Sequence, residues 1–192
     1  SDISTLTLKP WYDKNPLVVI SANAATAMNQ LVKECVSHNL DYVYDVGQQV
    51  TNISVEQLKL GLSQAKILFV NDYELGTILG RTGLSESDLT AMIPLIVTTL
   101  GAEGTRLSGS TIAVPISVKA IKNIKVVDPT GAGDSYRAGF LHAYLRGDSL
   151  DVCSELGSTV ATYTIELRGT QTHTFTLADV INKHYSAYGR NI

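Results

Sequence analysis

Short apolar runs alternate with stretches of helical periodicity along most of this chain, and that alternation narrows the folds open to it. Residues 17–20, Leu-Val-Val-Ile, form a β-branched run of strand length. Met28, Leu31, Val32 and Cys35 then recur at helical steps, a stripe that Asn23 can cap. Residues 42–46, 67–70 and 95–99 repeat the strand pattern. Between them, Ser54-Val-Glu-Gln57 is a capping box, and helices are expected over 73–79 and from Ser85. Residues 105–108 and 111–115 read as paired strands around the turn Ser108-Gly109-Ser110, and 124–127 as one more strand. Three helices are expected over 134–145, 150–165 and 177–188. Pro10 and Pro16 mark the first sixteen residues as a strand fragment and a loop. Strands that alternate with helices imply an α/β fold: three αβα layers around a mostly parallel sheet. No repeat or linker interrupts residues 1–192, which are expected to form a single domain.

Composition excludes several classes of function. The net charge is -3 and no Lys/Arg run occurs, so nucleic acid is not the expected partner. No stretch approaches the roughly 18 consecutive apolar residues of a membrane span. No charged segment followed by an apolar one suggests export, so a cytoplasmic protein is expected. Cys35 and Cys153 lie far apart in helical patterns and read as buried small hydrophobes. Four scattered histidines without a Cys-x-x-Cys pair argue against a zinc site.

Chemistry concentrates in residues 126–140, Val-Val-Asp-Pro-Thr-Gly-Ala-Gly-Asp-Ser-Tyr-Arg-Ala-Gly-Phe. Gly131, Ala132 and Gly133 leave the backbone uncovered where a helix begins, so their N–H groups can face an anion. The helix dipole adds a positive end at the same place. Asp134, in the first turn, would lie beside a bound phosphate and could take the proton of an attacking hydroxyl. The plainer reading is a tight turn with Asp134 as a first-turn charge. No Gly-Lys-Ser/Thr follows, so this is not a Walker A loop. Nor is it Gly-x-Gly-x-x-Gly, which makes a dinucleotide site a poor fit.

Residues 128–141, Asp-Pro-Thr-Gly-Ala-Gly-Asp-Ser-Tyr-Arg-Ala-Gly-Phe-Leu, resemble the second signature of the ribokinase-like (PfkB) carbohydrate and nucleoside kinases at every position. Two further segments fit in order. Asn71-Asp-Tyr-Glu74 resembles the family's Asn-x-x-Glu motif, and residues 99–104, Thr-Leu-Gly-Ala-Glu-Gly, its Thr-Leu-Gly-x-x-Gly loop. Residues 169–173 sit where the family closes the nucleotide site. Together with residues 44–49, Tyr-Asp-Val-Gly-Gln-Gln, they look most like the adenosine-kinase-like or sugar-kinase-like branch.

The resemblance implies an ATP-dependent phosphotransferase acting on a hydroxymethyl group of a sugar or nucleoside. Asp134 would be the catalytic base, and Gly131, Ala132 and Gly133 the anion hole. Asn71 and Glu74 would organise Mg²⁺ through its waters; read without the family, they are an N-cap and a first-turn charge. Thr99, Gly101 and Gly104 would contact the nucleotide, as would Asn71. Ser158 falls where some relatives place an adenine contact. Asp128 and Thr130 match positions that bind a monovalent cation such as K⁺, or else serve an Asx turn and a cap. Residues 164–173 would supply the remaining carbonyls for that cation, although His173 stands where a small hydroxyl residue is common. Arg137 is expected to face solvent, His142 to be partly exposed, and Trp11 and Tyr12 to pack.

The resemblance starts near Leu17. The family's early strand with a substrate-binding Asp, its Gly-Gly-x-x-x-Asn segment and its small β-sheet lid find no counterpart. The chain is therefore expected to be a fragment of a full kinase. A partner chain that supplies the missing half, or a natural truncation serving as a non-catalytic nucleotide-binding module or pseudokinase, are the alternatives. A homodimer would follow the family's habit. An NAD-binding oxidoreductase is favoured only by the α/β alternation, which cannot carry it.

Overall fold

The computed structural model describes residues 7–192. Its strands are β1 (Val18–Ile20), β2 (Tyr42–Asp45), β3 (Ile67–Asn71), β4 (Leu95–Thr99), β5 (Thr105–Ser108) and β6 (Ile116–Val118). They follow one another in sheet order β1-β2-β3-β4-β5-β6. β1 runs parallel to β2, with Val18 opposite Tyr42, and β2 parallel to β3, with Val43 opposite Ile67. Seven α-helices are described: α1 (Ala25–Ser37), α2 (Val55–Ser63), α3 (Asp72–Thr82), α4 (Glu86–Met92), α5 (Ala132–Arg146), α6 (Leu150–Ile165) and α7 (Leu177–Tyr188). The α/β class expected from the alternation is the class observed. By its internal contacts the chain divides into two compact units, residues 1–98 with 107–115 and residues 99–106 with 116–192.

In the first unit, the helical stripe does what its spacing demands. Met28, Val32 and Cys35 of α1 are buried, as are Leu58 and Leu62 of α2 and Ile78 of α3. They pack with Tyr42, Tyr44 and Leu68 of the strands into one core. Each fully buried side chain of this size contributes about 1.5–3 kcal/mol. Gly61 lets α2 approach the sheet, because a Cβ there would lie 2.3 Å from the Tyr44 ring. Three helix starts in this unit carry reciprocal capping boxes, at Ser54, Asn71 and Ser85. α1 differs from expectation. Ala24 is its N-cap, and Asn23 instead accepts a hydrogen bond from the Ala24 N–H (2.7 Å).

In the second unit, α5 and α6 meet at glycines. A Cβ on Gly139 would lie 2.8 Å from the Leu156 carbonyl oxygen, and one on Gly157 2.8 Å from that of Tyr136. Close backbone approach is therefore built into both helices. The Tyr136 hydroxyl pairs with that of Ser154 at 2.7 Å inside this contact. α7 and the residues after it are tied to α6 by buried polar groups. His184 is fully buried between the Glu155 carboxylate (3.1 Å) and the Arg190 carbonyl (3.0 Å). Arg190 also reaches Glu155 and Asp151.

Three strand expectations fail. Residues 124–127 form no strand; the Val127 and Asp128 N–H groups donate to the Ile165 carbonyl at the end of α6 (2.7 and 3.2 Å), leaving Val126 and Val127 exposed. A β-branched run signals a strand only if a neighbouring strand takes its backbone, and here a helix end does so. Residues 111–115 are also not a strand. Ile112 N–H closes a turn onto Gly109, the Thr111 hydroxyl bonds the Pro94 carbonyl, and the strand forms at Ile116–Val118, past Pro115. Near the start of the chain, Lys9–Lys14 is a 3-10 helix rather than a strand fragment. Residues 1–6 of that expectation lie outside the described residues.

Candidate active site

The second unit holds a pocket of about 600 Å³. Its floor comes from distant segments of sequence. Thr99, Gly101 and Gly104 contribute from the loop between β4 and β5, Ala132 and Gly133 from the start of α5, and Ser158 from α6. All six were singled out from the sequence. The loop is shaped by Gly104, whose φ of 101° suits glycine and whose Cβ would lie 2.0 Å from the Val118 carbonyl oxygen. Leu100 N–H donates to the Gly104 carbonyl at 2.8 Å and closes it.

At the opposite wall, α5 begins without a side-chain cap. Gly131 is its N-cap residue, in the left-handed region at φ 83°. Ala132 N–H turns back to the Pro129 carbonyl (3.2 Å), and the first intrahelical bond runs from Ser135 to Gly131 (3.0 Å). Gly133 and Asp134 thus hold N–H groups that the helix ladder does not use. A Cβ on Gly133 would meet nothing within 4 Å, so an oxyanion can approach that backbone directly.

Asp134 is 76% exposed, and its Oδ1 accepts a hydrogen bond from Arg137 Nη2 at 2.6 Å. The Arg137 side chain is only 11% exposed, which overturns the expectation that it faces solvent. Spacing alone could not show this, because exposure at position 137 depends on what packs around α5. His142, expected to be partly exposed, is exposed.

Asp128 anchors the approach to α5. Its Oδ1 accepts the Thr130 N–H and its Oδ2 the Gly169 N–H, both at 3.0 Å. These main-chain donors, foremost Thr130, hold its carboxyl down at about 2. The Asx turn read from the sequence is therefore present, and a cation at Asp128 would have to share both oxygens with the main chain. His173 stacks on Phe175 (5.7 Å between ring centres), with its Nδ1 buried and unpaired among the described residues. Ser158 lines the pocket with its hydroxyl toward the Tyr188 phenol, which donates to the Lys119 carbonyl at 3.0 Å.

Asn71 and Glu74 belong to the first unit, where they cap α3. Asn71 Oδ1 accepts the Glu74 N–H (2.7 Å) and Glu74 Oε2 accepts the Asn71 N–H (2.9 Å). The cap occupies one carboxylate oxygen of Glu74. The other can still hold a water of a hydrated Mg²⁺, so this donor pair fits a hard cation bound through water. Among the described residues, no three His, Cys, Asp or Glu side chains gather as a direct metal site. Cys35 and Cys153 are free and buried, and burial pushes their thiols up to about 12 and about 11.

Several pocket residues carried no signal in the sequence. Ile121, Lys122, Asn123, Ile124 and Ile165 also line the cavity. Asn123 sits at φ 60°, a left-handed conformation that asparagine tolerates. No helix of the described residues is long and apolar enough to cross a membrane.

Known proteins resemble this chain in sequence and in fold. The profile of the pfkB family carbohydrate kinases matches residues 2–176. A nucleoside kinase of Methanothermobacter thermautotrophicus is 36% identical over 147 residues, covering 76% of this chain and 46% of that protein. One from Methanocaldococcus jannaschii is 34% identical over 140 residues, 73% of this chain and 46% of its own length. The chain thus spans about half the length of these relatives. A crystal structure of the Methanocaldococcus jannaschii nucleoside kinase, an archaeal member of the ribokinase family, superposes with a TM-score of 0.81 at 29% identity, covering 92% of this chain and 60% of that one. The Burkholderia thailandensis nucleoside kinase in complex with inosine shares the fold, with a TM-score of 0.87 at 24% identity over 92% of this chain and 58% of that one. With a match across most of its length and the glycine-led start of α5 in place, the chain belongs to the pfkB family of carbohydrate kinases.

Proposed function

We propose that this chain is the nucleotide-binding and catalytic portion of a cytoplasmic kinase, an incomplete ribokinase-like domain over 1–192. It would transfer the γ-phosphoryl of ATP to a hydroxymethyl group. The nucleoside kinases among its relatives favour a nucleoside over a free sugar as acceptor. The observation that carries the reading is the pocket itself. It joins an apolar wall to uncapped helix N–H groups, with a carboxylate in the same first turn.

The chemistry needs little more. The acceptor oxygen bonds to the γ-phosphorus while the bond to the ADP oxygen breaks, and Asp134 takes the hydroxyl proton. The anion hole expected at Gly131, Ala132 and Gly133 would hold the charge on the transferred group, assisted by the helix dipole; Ala132 N–H already donates to the Pro129 carbonyl, so Gly133, with Asp134 N–H beside it, would carry most of that role. Thr99, Gly101 and Gly104 border the nucleotide, and Ser158 lies beside its base. Asn71 and Glu74 would hold Mg²⁺ through water, and that ion would supply charge neutralisation on the phosphates. Asp128 and Thr130 would border a K⁺ ion. A homodimer would follow the family's habit.

Asp134→Asn tests the assignment. ADP release from ATP with a panel of adenosine, cytidine, inosine and ribose should fall about 10²–10⁴-fold, while ATP affinity stays nearly constant. Turnover at the unchanged level in that variant would end this reading.

A further inference from the structure

We propose that Arg137 is a positioning residue that holds the Asp134 carboxylate for proton transfer, an inference that rests on the reading of Asp134 as the base. The pair is asymmetric in burial. The guanidinium is 11% exposed and the carboxylate 76% exposed. A charge pair that merely supports a helix lies on the surface, where both partners stay hydrated. Here the cation is held on the protein side, and burial pulls its pKa down from the ordinary arginine value. A guanidinium does not give up its proton in a protein, so a fixed positive charge sits behind Asp134.

The geometry assigns the two carboxylate oxygens different tasks. Oδ1 accepts the Arg137 Nη2–H at 2.6 Å, a short charge-assisted bond that selects one rotamer. Oδ2 is then the oxygen left for the acceptor hydroxyl, on a side chain that is 76% exposed. The arginine itself is steadied by α5 packing, since its neighbours Tyr136, Gly139 and Phe140 are all buried against the unit's interior. An unanchored Asp134 would sample other rotamers, and small displacements of a reacting group lower rates steeply.

The test is a double-mutant cycle in the full-length protein, with ATP and the acceptor panel above, read as ADP release. Arg137→Met should lower kcat about 10–100-fold and leave KM for ATP within about twofold. Arg137→Lys, which keeps the charge but loses the planar fork, should retain more turnover than Arg137→Met. In an Asp134→Asn background, Arg137→Met should cost nothing further, because the arginine acts through that carboxylate. Melting curves accompany each variant. If Arg137→Met melts below the assay temperature, Arg137→Lys carries the same cycle.

Wild-type kcat in Arg137→Met, a loss confined to KM for ATP, or effects that multiply with Asp134→Asn would overturn the proposal and leave the kinase reading standing. Normal turnover in Asp134→Asn alone would remove both.

Discussion

Helices α3 and α5 both open at residues proposed for phosphate chemistry, yet their first turns are finished in opposite ways. At α3, Asn71 and Glu74 exchange hydrogen bonds between side chains and main chain, and the first turn is satisfied from within. At α5, Gly131 offers no side chain, and donors at Gly133 and Asp134 stay outside the ladder. A self-capped terminus stabilises its own helix by about 1 kcal/mol. An uncapped one forgoes that and keeps its N–H groups for a ligand. The unit offsets the loss elsewhere. Asp128 ties the approach to Gly169, and the Ser135 and Thr164 hydroxyls meet at 2.5 Å across α5 and α6.

The contrast can be broken most severely at Gly131. A side chain there meets Thr170 at 3.1 Å and must adopt φ 83°. Gly131→Val should destabilise the start of α5 by at least about 1–2 kcal/mol. It should also weaken ATP binding tenfold or more by calorimetry; unchanged affinity would remove the anion role of that turn.

Glu74→Gln sharpens the other side. An amide oxygen can still accept the Asn71 N–H, so the melting temperature should hold within about 2 °C. Turnover should nonetheless fall about tenfold if the carboxylate charge serves Mg²⁺. A variant with full turnover would leave Glu74 as a cap and nothing more. Asn71→Ala removes the cap itself and should cost about 1 kcal/mol, or roughly 2–4 °C in melting temperature. A melting curve identical to wild type would show that α3 does not depend on its box.

The smallest effect concerns pH. The Asp128 carboxyl, held at about 2, has a folded value below its ordinary one. The stability it contributes is therefore fully present above about pH 4 and is lost as pH falls through about 2. The melting difference between wild type and Asp128→Asn should be constant from pH 7 to about 5 and shrink below about 4. A difference that persists at pH 2 would contradict the two N–H bonds.

Much of this was legible in residue order. The steps of Met28, Val32 and Cys35 place a buried face, with Leu31 of the same stripe only partly buried, and the Ser54 box, the Asn71 cap and Ser85 mark three helix starts. Thr99, Gly101, Gly104, Ala132 and Gly133 of the motifs, and Ser158 from the resemblance, line one cavity, whereas Asn71, Glu74, Asp128, Thr130, Gly131 and Asp134 are not among its lining residues. The misses have a common cause. Residues 111–115 and 124–127 look like strands locally, but only the partner of a backbone group makes it one.

Local sequence determined most helix starts and stops, at Ser54, Asn71 and Ser85 though not at Asn23, because capping side chains and glycines act within four residues of themselves. It also determined the uncapped, glycine-led turn before Asp134, because no side chain at 131 is available to close it. Tertiary structure decided what faces what. Arg137, which residue order alone reads as a solvated charge, has a side chain only 11% exposed and bonded to Asp134, because exposure depends on neighbours that residue order does not name. Ile121, Lys122 and Asn123 join the pocket for the same reason. Burial is a property of neighbours brought from elsewhere, and no local pattern contains them.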